Sequence, residues 1–431
     1  MVALSAAAVC ATLSGQAAPT ATAPAPYSQF ALPGVGGELR YALTASESLV
    51  SGYNGNSGSG VNAYTNVSGD LAYLSRNPLH QFSAVYAGGY LFGNSTFPSN
   101  FYQSLTLSQN FRTRSWNFLV GDSVSYLPQT PVGSLSGIPG AGDQGLAPVV
   151  INSTPTLGIL TTYATRIGNV VSGTVSRDLT ASTSFSLSGA DSIQRYTGSS
   201  TGFQGIDNDQ QSASASLQHR INERTSAGGS YSFTNSTFQS SVLLGPGSYG
   251  YQTHSAQVSF TREITPQLNV VASVGPQWTV SGSNAGLTRG SAVNVAATAA
   301  LSYQARRYNA GLNYSRGVNN GNGVVIGSRL DSVVGNISRP FARIYNVGAL
   351  VGWNHSAQLG NSTLPNFDNQ GVVGGGQLSV QVSRSISAFA SYTLQRQSFS
   401  GYAPAGIAFN GLTQYGTLGV TYSPKPIFSR K

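Results

Sequence analysis

The chain has 431 residues, only 8% of them charged, with a formal net charge of +9. A soluble domain carries roughly 25% charged residues, and lysine occurs here only at Lys425 and Lys431, so a large water-facing outer surface is excluded. Past the N-terminus no run of 18 or more apolar residues occurs, which excludes helical membrane spans.

Residues 1–17 read as an export signal whose basic front is missing. An apolar, Ala-rich core runs from Val2 to Leu13 and small residues suited to signal peptidase follow it. Cys10, the one cysteine, lies in this segment, and Val9 before it does not suit a lipoprotein box. A mature chain without cysteine has no disulfides, thiol catalysis or Cys-based metal sites. Residues 18–35 form an Ala/Pro-rich linker.

From residue 36 to 424 one unit recurs: a long alternating strand, a short turn flanked by arginine, and a second alternating strand. The expected turns lie at Asn77, Arg114, Asp178, Asn222, Glu263, Arg306, Pro340 and Ser385, spaced 34 to 64 residues apart. Between the units stand longer Gly/Ser/Asn/Pro loops such as "GSSTGFQGIDND" and "LGNSTLPNFDNQ". The Gly-rich "GNSGSG" at 55–60 lacks the strand-then-helix setting of a phosphate loop and reads as another of these. Eight turns join sixteen strands, and "GELRYALTASESLV" before them with "TQYGTLGVTYSP" after them gives about eighteen. Sixteen is the alternative count, because the first strand and the stretch after Leu160 are the weakest. Residues 425–431 form a C-terminal tail.

Within the strands, side chains alternate between two faces. From Leu268, one face reads Leu268, Val270, Ala272, Val274, Pro276, Trp278 and Val280, and the other is small and uncharged. The expected polar, pore-lining set is Asn269, Ser273, Gln277, Asn309, Asn313, Asn346 and Asn354. Tyr231, Phe233, Trp278, Tyr314, Trp353 and Tyr392 gather toward strand ends on the apolar parity, where rings sit at a lipid headgroup level. Asp122 and Asp191 also fall on the apolar parity, which implies a bulge or an early end of the lipid band. A propeller repeats at a similar spacing but packs four short strands per blade. Two long strands per period instead suit two membrane crossings of about 9–11 residues each. The fold class expected is all-β: a transmembrane antiparallel up-and-down barrel with short periplasmic turns and longer surface loops.

Candidate chemistry is sparse. His80, His219, His254 and His355 have no metal-ligand spacing, and no metal, cofactor or enzymatic role is expected. Twelve of the twenty arginines flank the short turns, among them Arg177, Arg220, Arg262, Arg306, Arg343 and Arg384. They keep the turns soluble, or form a basic collar at the periplasmic rim against inner-leaflet phosphates. No concentrated basic face with interleaved aromatics exists to bind nucleic acid.

As a pattern over residues 36–424, the chain resembles Gram-negative outer-membrane β-barrels of the porin-like or uncharacterised single-chain kind. Members of that family end in an alternating strand read by the outer-membrane assembly machinery. Leu418, Val420 and Tyr422 fit, while "SPKPIFSRK" departs by placing Phe428 beyond a Pro-broken tail. About 35 residues precede the first strand, too few for the plug of a TonB-dependent receptor. The resemblance implies an outer-membrane location and contact with its lipids, and it leaves homo-oligomerisation open. In general porins the third surface loop folds inward and narrows the channel. Here that loop would carry the constriction at Asp143 and Gln144, Asp143 being the one ionised side chain between Asp122 and Arg166. The expected function is passive diffusion of small hydrophilic, mostly neutral solutes. Polysaccharide export, or a non-conducting barrel that anchors the envelope or scaffolds a partner, are the alternatives.

Overall fold

The computed structural model describes residues 37–52, 61–75, 77, 79–93, 99–128, 165–197, 207–239, 248–281, 291–319, 328–342, 344–359, 367–401, 410–425 and 427–428. Among them there is no helix. The chain opens with β1 (Gly37–Ser51), and eight turn-linked pairs follow. These are β2 (Val61–Ser75) with β3 (His80–Phe92), β4 (Asn100–Arg112) with β5 (Trp116–Pro128), and β6 (Thr165–Asp178) with β7 (Thr183–Thr197). Next come β8 (Asn208–Asn222) with β9 (Thr225–Phe238), β10 (Tyr249–Thr265) with β11 (Leu268–Ser281), and β12 (Ser291–Gln304) with β13 (Asn309–Asn319). The last pairs are β14 (Ser328–Phe341) with β15 (Tyr345–Gln358) and β16 (Phe367–Gln381) with β17 (Ile386–Gly401), before β18 (Gly411–Tyr422). Each strand pairs antiparallel with its sequence neighbours, and β1 pairs with β18 from Leu43↔Tyr422 to Ser51↔Gln414. The result is a closed eighteen-stranded up-and-down barrel. Closure has a physical cause, because an open sheet edge in hydrocarbon would leave backbone groups unpaired.

Below that junction the chain does not stop at its prolines. Ile427–Phe428 form a two-residue strand, β19, that pairs with Glu38 and Leu39 of β1. Pro424 breaks the run of β18, and the backbone then returns to the same edge.

The short turns lie at one end with the start of β1 and the close of β18, and they are capped by their own side chains. Asn77 Oδ1 accepts from the Leu79 N–H at 3.0 Å, Asn222 Oδ1 from Arg224 at 3.0 Å, and Thr180 Oγ1 from Thr183 at 3.0 Å. Such Asx and Ser/Thr turns offer the backbone a local alternative to the ladder. Two turns sit later than the sequence suggests. β10 runs past Glu263, with a bulge between Glu263 and Thr265, to turn at 266–267, where Thr265 Oγ1 accepts from the Leu268 N–H at 3.1 Å. Pro340 remains inside β14 opposite Asn346, and the chain reverses at Ala342, whose φ is +49°.

Lengths of 11 to 17 residues for β1 to β18 meet or exceed the roughly 9–11 that a tilted strand needs to cross a bilayer. The β10–β11 ladder is interrupted opposite Pro276, between Ser255↔Gln277 and Val258↔Val274, and a longer gap lies on the far side of β12. β12 pairs with β13 only from Ala297↔Arg316 down to Gln304↔Asn309, so among the described residues Ser291 to Ala296 have no partner on that side. On the other side the same residues pair fully with β11.

Candidate functional site

The inner wall of the barrel is the surface on which a function can act. Directly paired residues share a face, so one residue of known direction fixes its whole row. In β11 the even positions face out, where Val274 is 56% exposed, and the odd positions face in. Carried around the register, this places Asn269, Ser273, Gln277, Asn309, Asn313, Asn346 and Asn354 all on the inward face. The positions Asp143 and Gln144 lie outside the described residues.

Cross-strand hydroxyl pairs line the interior. Ser273 Oγ donates to Gln257 Oε1 at 2.7 Å and meets Thr298 Oγ1 at 2.7 Å. Thr44 meets Thr421 at 2.9 Å, Ser48 meets Thr417 at 3.0 Å, and Ser188 meets Ser214 at 2.6 Å. Inward ionisable groups cluster near the turn end: the Glu38–Arg40 pair, Arg112, Asp178, Arg220 and Glu263. Asp70, buried in β2, is the inward charge placed higher among the described side chains.

The two ends of the lumen differ. Near the turn end, Asn269, Ser273, Asn313 and Asn346 are part-exposed and Asn309 is exposed. Near the loop end, inward side chains are buried, including Gln277 and Asn354 from the expected set, with Ser48 and Asn66 fully so. Aromatic rings pack there too. Tyr64 and Tyr415 join hydroxyls with ring centroids 6.2 Å apart, and the Tyr102 hydroxyl donates to Asn66 at 2.9 Å. Phe238, Tyr251 and Val318 form a buried apolar cluster. These inward aromatics were missed in the sequence, although parity marks them: Tyr64 alternates with outward Ala63 and Thr65, and Phe238 with outward Thr237.

The outer face is apolar at mid-height, with Val258 at 68% exposure, Val351 at 60% and Leu418 at 66%. Tyr231, Phe233, Trp278, Tyr314, Trp353 and Tyr392 all point outward. Asp122 and Asp191 face outward with unbroken register on both sides, so neither marks a bulge. Asn169 Nδ2 donates to Asp122 at 2.8 Å, and Gln211 lies directly opposite Asp191. The apolar band is interrupted there by a polar row. Higher on the same face, Arg195 pairs with Asp209 at 2.7 Å.

The four histidines also lie on the outside, on separate strands. His254 stacks on Trp278 at 5.6 Å and shares a 2.7 Å bond with the Tyr231 hydroxyl, and His355 pairs with Asp368 at 2.8 Å. No group of metal-ligating side chains occurs among the described residues. The turn-end arginines Arg177, Arg220, Arg262, Arg306 and Arg384 are exposed. Arg177 covers the Trp116 ring at 4.9 Å and Arg220 donates to the Ala181 carbonyl at 3.1 Å. Arg343 lies outside the described residues.

An apolar exterior, a polar interior and a closed ladder decide the class. The chain is a transmembrane β-barrel. An even strand number, with both ends of the barrel beside the short turns, is the architecture of the Gram-negative outer membrane. No protein-family model matches the chain, and no curated protein matches it. Among solved structures, it is similar to OccK2 (OpdF) of Pseudomonas aeruginosa, solved in complex with glucuronate. The identity is 13% over 89% of this chain and 97% of that one, with a TM-score of 0.46. OccK9 (OpdG) of the same organism gives 12% identity over 91% and 98%, with a TM-score of 0.46. BauA, the ferric preacinetobactin receptor of Acinetobacter baumannii, gives 10% over 89% and 80%, with a TM-score of 0.45. Likeness at this level says nothing of what this chain carries.

Proposed function

We propose that the protein is an outer-membrane channel for passive diffusion of small hydrophilic, mostly neutral solutes. The observation that carries this reading is the inner wall. Most of its described mid-height side chains are Ser, Thr, Asn, Gln, Gly and small apolar residues such as Ala300 and Val271, and the inward charges other than Asp70 collect at the turn end. A wall of neutral donors and acceptors replaces the hydration of a sugar-like solute better than that of an ion, which needs a field of one sign. The packed loop-end half serves as the constriction, and its hydroxyl–hydroxyl contacts can be exchanged for contacts to solute or water. The rim arginines hold the turn end at the inner-leaflet phosphates.

A second reading, a non-conducting barrel, is favoured by the burial of Ser48, Asn66 and Ser236 on the inward face. Purified protein in planar bilayers separates the two. The channel reading expects stepwise conductance with weak ion selectivity, reduced by neutral oligosaccharides. Silent insertion supports the second.

A further inference from the structure

We propose that the incomplete seam between β12 and β13 is a lateral binding site for a lipid with an anionic headgroup, drawn from the leaflet around the loop end. Above Ala297↔Arg316 the two strands part. β12 keeps its register with β11, and among the described residues its Ser291–Ala296 pair with no other strand. β13 leans inward instead. Val318 is buried against Phe238 and Tyr251, both on the inner face, and its N–H donates to Gln277 Oε1 at 2.9 Å. β14 follows, its Ser328 bonding Ser356 at 2.8 Å in buried surroundings. Among the described residues this edge of β12 has no strand beside it, and backbone groups left unpaired on a lipid-facing wall cost several kcal/mol each unless something polar meets them.

The parting leaves a cavity of about 580 Å³, lined by Val274, Pro276, Val293, Val295, Arg316 and Arg329 on the outward face and by Gly275 and Asn294 on the inward one. Its two kinds of lining match the two parts of an anionic lipid. Val293, at 79% exposure, continues an apolar track with Val295 and Val274 that suits an acyl chain. Arg316 and Arg329 share a single carboxylate. Arg316 Nη1 stands 3.5 Å and Arg329 Nε 3.9 Å from Asp331, which also accepts from the Tyr314 hydroxyl at 3.3 Å. Both Nε–H groups, and the Asn294 amide nitrogen, are buried without a hydrogen-bond partner. Two guanidiniums against one carboxylate leave one positive charge and several donors unused. Guanidinium forks match phosphate oxygens in geometry and charge. A phosphate-bearing head placed there satisfies the donors while its chain covers the apolar track beside the open edge.

The test uses the full chain in detergent, titrated with phosphatidylglycerol or with phosphatidylcholine of the same acyl chains, and read by native mass spectrometry. Phosphatidylglycerol should bind at least tenfold more tightly. Arg316→Gln/Arg329→Gln should bring it down to the phosphatidylcholine level, whereas Arg396→Gln, an outward arginine on the distant β17, should leave the preference intact. Val293→Trp, which fills the apolar track, should weaken both lipids. Heat-modifiable migration reports folding of each variant. Should the double glutamine variant not fold, Arg316→Lys/Arg329→Lys keeps the charge and loses the forks, and should cut the preference several-fold. Equal binding of the two lipids, a preference retained in the folded double variant, an equal loss in Arg396→Gln, or unchanged binding in Val293→Trp would overturn the proposal.

Discussion

Near the turns, inward Asn269 and Ser273 of β11 look into an accessible lumen. Four residues past Ser273 along the same strand, inward Gln277 is buried, as is Thr279 after it. Both halves keep one alternation, and the same register carries it around the wall. What differs is the filling. In the turn-end half, the interior is solvent-facing hydroxyl and amide with the charged groups close to the turns, and the exterior is mostly valine, leucine and ring. In the loop-end half, aromatic rings enter the interior while Asp191, Arg195, Asp209, Arg316, Asp331 and His355 appear outside. Strand alternation decides which way a side chain points. It does not decide whether water, lipid or protein waits there.

Four changes probe that contrast, from the largest expected effect to the smallest. Phe238→Ala removes a ring from the loop-end cluster, and deletion of a buried aromatic costs about 3–5 kcal/mol. Urea unfolding in detergent should show this loss, and the enlarged constriction should raise single-channel conductance. Loss of stability with unchanged conductance would place the cluster away from the solute path. Val351→Arg puts a charge on the lipid face, where barrels lose roughly 2–4 kcal/mol near the midplane. The inward changes Ser273→Arg and Asn346→Arg should fold normally and alter ion selectivity instead. Equal tolerance of both sets in heat-modifiable migration would refute the assigned parity.

The third change concerns backbone contact. A Cβ at Gly275 would lie 1.8 Å from the Ala256 carbonyl oxygen, so β10 and β11 approach too closely for any side chain there. Gly275→Ala should destabilise by about 1–3 kcal/mol, as overpacking does. Gly173→Ala, with nothing within 4 Å, should be neutral in the same unfolding assay. The smallest effect belongs to the rim. Arg177→Gln loses its contact with Trp116, worth about 0.5–1 kcal/mol at an exposed site, and conductance should not change.

The barrel itself was legible because its signal is local. Period-two alternation, turn residues and the missing surface lysines give the class, the strand number and the facing of every residue in the expected pore-lining set. The turn at Glu263 was misplaced because an arginine-flanked polar run looks like a turn, while Thr265 and Pro266 supply the actual reversal. The inward rings were legible in principle at Tyr64 and Phe238, yet aromatic residues in a lipid-facing pattern draw the eye outward. The seam had no local signal. Ser291–Ala296 alternate as regularly as any strand, and only the register shows that β13 leaves them. Burial of Gln277 and Asn354 is likewise set by the interior as a whole and not by their own strands.

The central claim is a water-filled path lined by neutral polar groups. Single-channel recording of the purified protein in a planar bilayer, under a salt gradient, tests it most directly. The account predicts discrete conductance steps with a reversal potential close to zero, blocked reversibly by a neutral oligosaccharide. A barrel that inserts and folds but never conducts would contradict it, as would a channel strongly selective for one sign of ion.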